Sequence, residues 1–236
     1  MLSNLLKYKI DNCTIFNQIC VVCRATGTRH GLCAPCLTML PELTGPRCPG
    51  CASPSPQNQP CRACATNEHA LDAIHASYEY CYPLAQIIQA FKYQKRMELA
   101  GALGFAMRRK LGTIPPCFDV VIAVPLSNER LAERGFNQSE LLREALLGSG
   151  KSSGSPTWCW RKRNTLPQAR LGQLQRTRNL ENAFGVEHRC DGLEIAIVDD
   201  VSTTGSTLET LASELKKRGA KRVEAWVLAR SFSSVT

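Results

Sequence analysis

Two sets of residues have the types and spacing to do chemistry. The first is four cysteine pairs: Cys20/Cys23, Cys33/Cys36, Cys48/Cys51 and Cys61/Cys64. They spell CxxC, nine residues, CxxC twice, and all four positions shift by the same 28 residues between copies. This is an internal duplication. A CxxC turn brings two thiolates to one metal, and two such turns complete a tetrahedron around Zn²⁺. The segment is rich in Pro, Gly and Ser and poor in large apolar residues, so its folding is expected to depend on zinc. The duplication favours sequential sites, Cys20, Cys23, Cys33 and Cys36 on one zinc and Cys48, Cys51, Cys61 and Cys64 on the other; a cross-braced pairing is the alternative. Sites filled by sulfur are closed, so they serve structure or recognition rather than hydrolysis. Cys13, Cys81, Cys117, Cys159 and Cys190 stand outside the repeat, and His30, His69, His75 and His188 show no ligand or triad spacing.

The second set is the stretch IAIVDDVSTTGSTL, residues 195–208. An apolar run ends in two adjacent carboxylates, Asp199 and Asp200, and passes at once into Thr203, Thr204, Gly205, Ser206 and Thr207. Hydroxyls and free backbone N–H groups at a helix start form a cradle for an anion. Gly205 lets the chain approach that anion closely. The carboxylates cannot serve the same anion; they suit vicinal hydroxyls, with a divalent cation nearby to offset their charge. A sugar phosphate satisfies both halves.

Such residues need a scaffold, and the sequence from about residue 71 predicts one. Residues 73–80, 119–125, 193–200 and 221–230 read as strands, and 157–161 is a further candidate. Residues 83–94, 97–112, 137–148 and 205–220 read as helices, the third with a Ser at an N-cap-like position. Strands alternating with helices predict an α/β fold with a mostly parallel sheet flanked by helices, its site at the carboxyl ends of the strands. The segment GSGKSSGSP, residues 148–156, reads as a flexible connector. The expected organisation is a small zinc-ribbon module over 1–70 and an α/β domain over 71–236.

Hydrophobic content of 44% and charged content of 21% fit a globular protein. No apolar run approaches a membrane span, and the start lacks a signal-peptide pattern, so a cytoplasmic location is expected. The net charge of +9 falls to about +5 once eight thiolates and two Zn²⁺ are counted, which still favours polyanions.

The stretch 195–208 resembles the phosphoribosyl-pyrophosphate (PRPP) motif of type I phosphoribosyltransferases. Together with VPLSNERLAERGFNQSELL, residues 124–142, and the N-terminal CxxC module, it makes the chain similar to the ComF/GntX family of competence-related phosphoribosyltransferase-like proteins, from Cys20 to about Arg230. The resemblance implies that Thr203, Thr204, Gly205, Ser206 and Thr207 bind the 5-phosphate of PRPP. Asp199 and Asp200 would hold the ribose hydroxyls, and would be the catalytic carboxylates of any turnover. Mg²⁺ would bridge ribose and pyrophosphate. Arg130 and Arg134 match the RxxxRGFNQ arginines, and two arginines one helical turn apart suit pyrophosphate or nucleic acid. Residues 161–184 occupy the place of a mobile catalytic loop and carry Arg161, Lys162, Arg163, Arg170, Arg176 and Arg178; Arg163 is a further candidate for a phosphate backbone. Lys92 and Tyr93 match another family pattern. Ser202 departs from the larger apolar residue common at its position, with an expected effect on packing.

Three functions follow from the resemblance. One is a PRPP-binding protein of natural competence that handles incoming single-stranded DNA, with DNA-uptake or recombination proteins as partners. The second is an active phosphoribosyltransferase of nucleotide salvage, for which no segment identifies an acceptor site. The third is a PRPP-sensing adaptor whose zinc module binds a protein. Whether the chain is an enzyme is left open by the sequence.

Overall fold

The computed structural model describes residues 19–28, 30–112, 118–148, 158–162 and 183–232. Residues 149–156 of the connector, Thr157 of the strand candidate, the basic positions Arg163, Arg170, Arg176 and Arg178, and Cys13 and Cys117 lie outside the described residues.

The N-terminal part holds two short helices, α1 (Ala34–Thr38) and α2 (Arg62–Thr66), each opening directly after a cysteine of the repeat. Then follow β1 (Ala73–Glu79), α3 (Leu84–Tyr93), α4 (Leu99–Leu111), β2 (Val120–Ala123), α5 (Asn128–Arg134), α6 (Gln138–Leu147), β3 (Cys159–Arg161), β4 (Phe184–Val186), β5 (Glu194–Ser202), α7 (Ser206–Lys217) and β6 (Arg222–Arg230). The strands β1-β6-β5-β2 form a four-stranded sheet with every pairing parallel. The expected α/β architecture is thus present, with β5 and β6 in the sheet interior. Both are buried along almost their whole length because both faces are covered, with apolar runs at Ile195–Val198 and Ala225–Ala229. β4, which the sequence reading passed over, pairs antiparallel with β3 in a separate two-stranded ribbon.

Side chains alternate between the two faces. Ala196 and Val198 of β5 and Trp226 and Leu228 of β6 join a core with α3, α4 and α6, including Ile88, Phe91, Leu103 and Leu142. Ile195, Ile197, Val223, Ala225 and Val227 point the other way, into a core with Leu208, Leu211 and Leu215 of α7 and with Phe184 and Val186 of β4. Gly104 lets α4 approach α6: a Cβ there would fall 2.4 Å from Ala145 Cβ. Among the described residues, no helix is long and apolar enough to cross a membrane.

Local sequence sets the turn into the site. Asn137, not a serine, caps α6: its Oδ1 accepts from Ser139 N at 3.1 Å, and its Nδ2 donates to Val124 O at 3.0 Å. That pins the start of α6 to the end of β2 and leaves the Ser139 hydroxyl for another partner. Ser127 caps α5, and Gly135 ends it in the left-handed region at φ 81°.

Candidate functional site

The sequence-predicted ligands of the ribbon come together as two sequential four-cysteine groups. Cys20, Cys23, Cys33 and Cys36 hold their sulfurs within 4.8 Å of one another, and so do Cys48, Cys51, Cys61 and Cys64. The cross-braced alternative is not formed. This donor set fits tetrahedral zinc. Burial would raise the Cys20 and Cys48 thiols, but backbone N–H groups aimed at sulfur outweigh it, and each is pushed down to about 6. One of those donors is Cys61 N, at 3.2 Å from Cys48 Sγ. The fourth cysteine of each group, Cys36 or Cys64, is pushed up by burial and by its sulfur neighbours. That conflict among crowded thiolates is what a central cation relieves. Gly50 permits the tight knuckle, since a Cβ there would lie 3.2 Å from Cys64 Sγ.

At the carboxyl end of the sheet, β5 delivers Asp199 and Asp200, both buried. Asp199 Oδ1 accepts from Ser139 Oγ at 2.8 Å and from Asp200 N at 2.9 Å. Asp200 Oδ1 accepts from Val201 N at 2.7 Å, and its Oδ2 pairs with Lys92 Nζ at 2.8 Å. Burial, then the neighbouring Asp200 charge, pushes the Asp199 carboxyl up to about 7. Burial pulls the Lys92 ammonium down, but Asp200 beside it prevails and holds it above the usual lysine range.

Further cations stand around the acid pair. Arg134 Nη1 donates to Gln138 Oε1 at 2.8 Å, its guanidinium lies 5.2 Å from the exposed Tyr93 ring, and its charge acts against Lys92. Arg161, at the end of β3, is pulled below its ordinary value by burial and by Arg130, while Asp199 acts the other way. Its guanidinium sits 5.3 Å from the Phe184 ring. The predicted residues Asp199, Asp200, Arg130 and Arg134 therefore share one electrostatic neighbourhood.

Thr203–Gly205 join β5 to α7, and Ser206 and Thr207 are the first two residues of that helix. Gly205 occupies the helix cap at φ 83°, in the region where a side chain is strained. Thr203 and Thr204 are exposed, and Thr204 Oγ1 lies 2.5 Å from Ser206 Oγ. Hydroxyls and the opening amides of α7 thus follow the acid pair directly along the chain at the carboxyl end of β5, combining anion donors with hydroxyl acceptors.

Three contributors were not singled out from the sequence. Ser139 sits 60 positions from its partner Asp199, and nothing local reveals the pairing. Arg161 was one charge in a basic run. Arg230 is 4% exposed although it ends an apolar strand; its Nη1 donates to Ser202 Oγ at 3.1 Å and also to Thr203 O. Ser202, expected to alter packing alone, is the acceptor for this buried guanidinium. A small hydroxyl in an apolar slot, with an arginine closing the next strand, was the available signal.

Comparison with known proteins agrees with this architecture. Residues 13–65 match the double zinc ribbon domain family and residues 167–234 the phosphoribosyl transferase domain family. The chain is 34% identical over 227 residues to the DNA utilization protein YhgH of Salmonella typhi, covering 91% of this chain and 97% of that one. It is 32% identical over 230 residues to Competence protein F of Haemophilus influenzae, covering 92% and 98%. It is 29% identical over 209 residues to Competence protein ComFC of Bacillus subtilis, covering 85% and 84%. With two four-cysteine zinc-binding sites ahead of a parallel phosphoribosyltransferase sheet, the chain belongs to the ComF/GntX family of competence-related proteins.

Proposed function

We propose that this protein binds Mg²⁺-PRPP at the end of β5 and β6 and handles single-stranded DNA in the cytoplasm during natural competence. The observation that carries the reading is the juxtaposition of a buried acid pair with a hydroxyl- and amide-rich loop at the start of α7. Thr203, Thr204, Gly205, Ser206 and Thr207 receive the 5-phosphate. Asp199 and Asp200 accept from the ribose hydroxyls. Asp200 is already paired with Lys92 and Asp199 with Ser139, so the pair suits hydroxyl donors better than direct metal ligation. Mg²⁺ then arrives with the pyrophosphate and neutralises it. Arg130, Arg134 and Arg161 supply positive charge on the pyrophosphate side.

The names of the relatives, a DNA utilization protein and two competence proteins, support the DNA half of the reading. So does the net charge of +9. Binding of this kind is led by phosphate contacts and falls steeply with salt. With the domain division at residues 70/71, the ribbon precedes the PRPP site in the chain, and its surface away from the α/β core meets DNA or a protein of the uptake machinery.

The test is fluorescence anisotropy of a labelled single-stranded oligonucleotide titrated with zinc-loaded protein, with and without Mg²⁺-PRPP. Salt-sensitive binding that shifts with PRPP is expected. Absence of binding at moderate salt would reject the DNA role. Pyrophosphate release with a nucleobase would then favour salvage chemistry, with Asp199 and Asp200 as its catalytic carboxylates. PRPP binding without turnover would favour the adaptor.

A further inference from the structure

The two zinc sites arose by duplication, yet they dock on different parts of the fold. Cys20, Leu32, Cys36, Leu37 and Leu40 of the first pack into the core on the α3–α4–α6 face of the sheet, and His30 stacks on Phe105 at 4.0 Å. The second reaches the other face, where Cys51 packs against the core that contains α7. Two connections run from its first knuckle toward the loop 203–207. The carbonyl of Cys51 accepts from Arg230 Nε at 3.1 Å, and the same guanidinium donates through Nη1 to Ser202 Oγ and to Thr203 O. The carbonyl of Gly50 accepts from Ile74 N at 2.8 Å, and Ile74 Cδ1 lies 3.3 Å from where a Gly205 Cβ would be. Phe232 lies between Arg47 of the ribbon and Arg230, 4.8 and 5.9 Å from their guanidinium carbons.

We propose that Arg230 is a positioning residue through which zinc in the second site sets the affinity of the Thr203–Thr207 loop for phosphate, while the first zinc site has far less influence on it. The inference rests on the reading of that loop as the PRPP phosphate cradle. A guanidinium is planar and rigid, so its two ends move together. With zinc present, the Cys48–Cys51 knuckle is held and Cys51 O stays in place. With zinc absent, the knuckle relaxes and Nε loses its acceptor. A buried donor without a partner is costly, so the guanidinium turns to recover one. Its Nη1 contacts to Ser202 and Thr203 turn with it, and the first residue of the loop shifts. By linkage, PRPP then tightens zinc in the second site by the same factor that zinc tightens PRPP.

The experiment titrates Mg²⁺-PRPP calorimetrically into the full zinc-loaded chain and into Cys61→Ser, Cys23→Ser, Arg230→Lys and the Arg230→Lys/Cys61→Ser double variant, with zinc content measured for each. Cys61→Ser is expected to weaken PRPP about tenfold, within the usual range of site–site coupling, and several-fold more than Cys23→Ser does. Arg230→Lys keeps the charge but carries its donors on a single nitrogen and cannot span the separate positions of Nε and Nη1, so it should reproduce the second-site loss. The double variant should then lose little more than either alone. Equal losses from Cys61→Ser and Cys23→Ser, or additive losses in the double variant, would overturn the proposal. If the wild-type chain gives no PRPP heat, the cradle reading fails separately, and hydrogen exchange at the amides of 203–207 decides the coupling. Faster exchange in Cys61→Ser than in Cys23→Ser supports it, and equal exchange overturns it.

Discussion

Replacing Asp199 with Asn should make the unliganded protein more stable at neutral pH while destroying PRPP binding. Asp199 is buried against Asp200, and its carboxyl is pushed up to about 7 from an ordinary value near 3.8. Between those values the unfolded chain is ionised at this group and the folded chain is not. The folded state therefore binds more protons, and rising pH removes stability across that window until the folded group ionises near 7. Asn has nearly the same shape, can still accept from Ser139 and from the Asp200 amide, and carries no charge at any pH. The stability difference between Asp199→Asn and wild type should therefore grow with pH from 5.5 to 7 and level off above it. At about 1.36 kcal/mol per pH unit, the growth over that interval is about 2 kcal/mol. Urea unfolding of zinc-loaded protein at pH 5.5, 6.25, 7 and 8 measures it, and taking the difference cancels groups common to both proteins. A difference independent of pH would refute the reasoning, because Asp199 would then ionise alike in both states. A gain in stability with loss of binding is what a like-charge pair held together for function should give.

Other outcomes follow from the same contacts. Lys92→Met leaves the Asp200 carboxylate buried without its cation, 2.8 Å away in the native protein, and should cost about 3 kcal/mol in unfolding experiments. Adding Asp200→Asn to Lys92→Met should recover much of that loss. Gly104→Ala drives a Cβ to 2.4 Å from Ala145 Cβ and should destabilise by about 1–3 kcal/mol, and pairing it with Ala145→Gly should recover part of the loss. A strong chelator should remove two zinc ions per chain, read by a metallochromic dye, and near-ultraviolet dichroism should change in step as the ribbon, poor in apolar residues, loses its fold.

The elements were legible where apolar spacing was strong. Residues 205–220 read as a helix and α7 spans Ser206–Lys217; residues 193–200 read as a strand and β5 runs Glu194–Ser202. Shorter elements were harder to see: β4 is three residues long and is defined only by its pairing with β3. The serine expected near the cap of α6 was displaced by Asn137, because Ser139 points its hydroxyl at Asp199 instead. A side chain with two possible partners is assigned by the fold.

The sequence by itself determined the duplicated four-cysteine sets, the parallel α/β plan, and the run of two acids followed by a hydroxyl-rich turn. Each is written in spacing along a few tens of residues, and backbone geometry translates that spacing directly into ligand sets, strand faces and a helix start. Only the tertiary structure decided that Lys92 neutralises Asp200, that Ser139 holds Asp199, and that Arg230 ties Cys51 to Ser202 across 179 and 28 positions of chain. Burying a charged group is costly without a partner, and whichever partner the packed fold brings within reach takes that place; no local pattern specifies it.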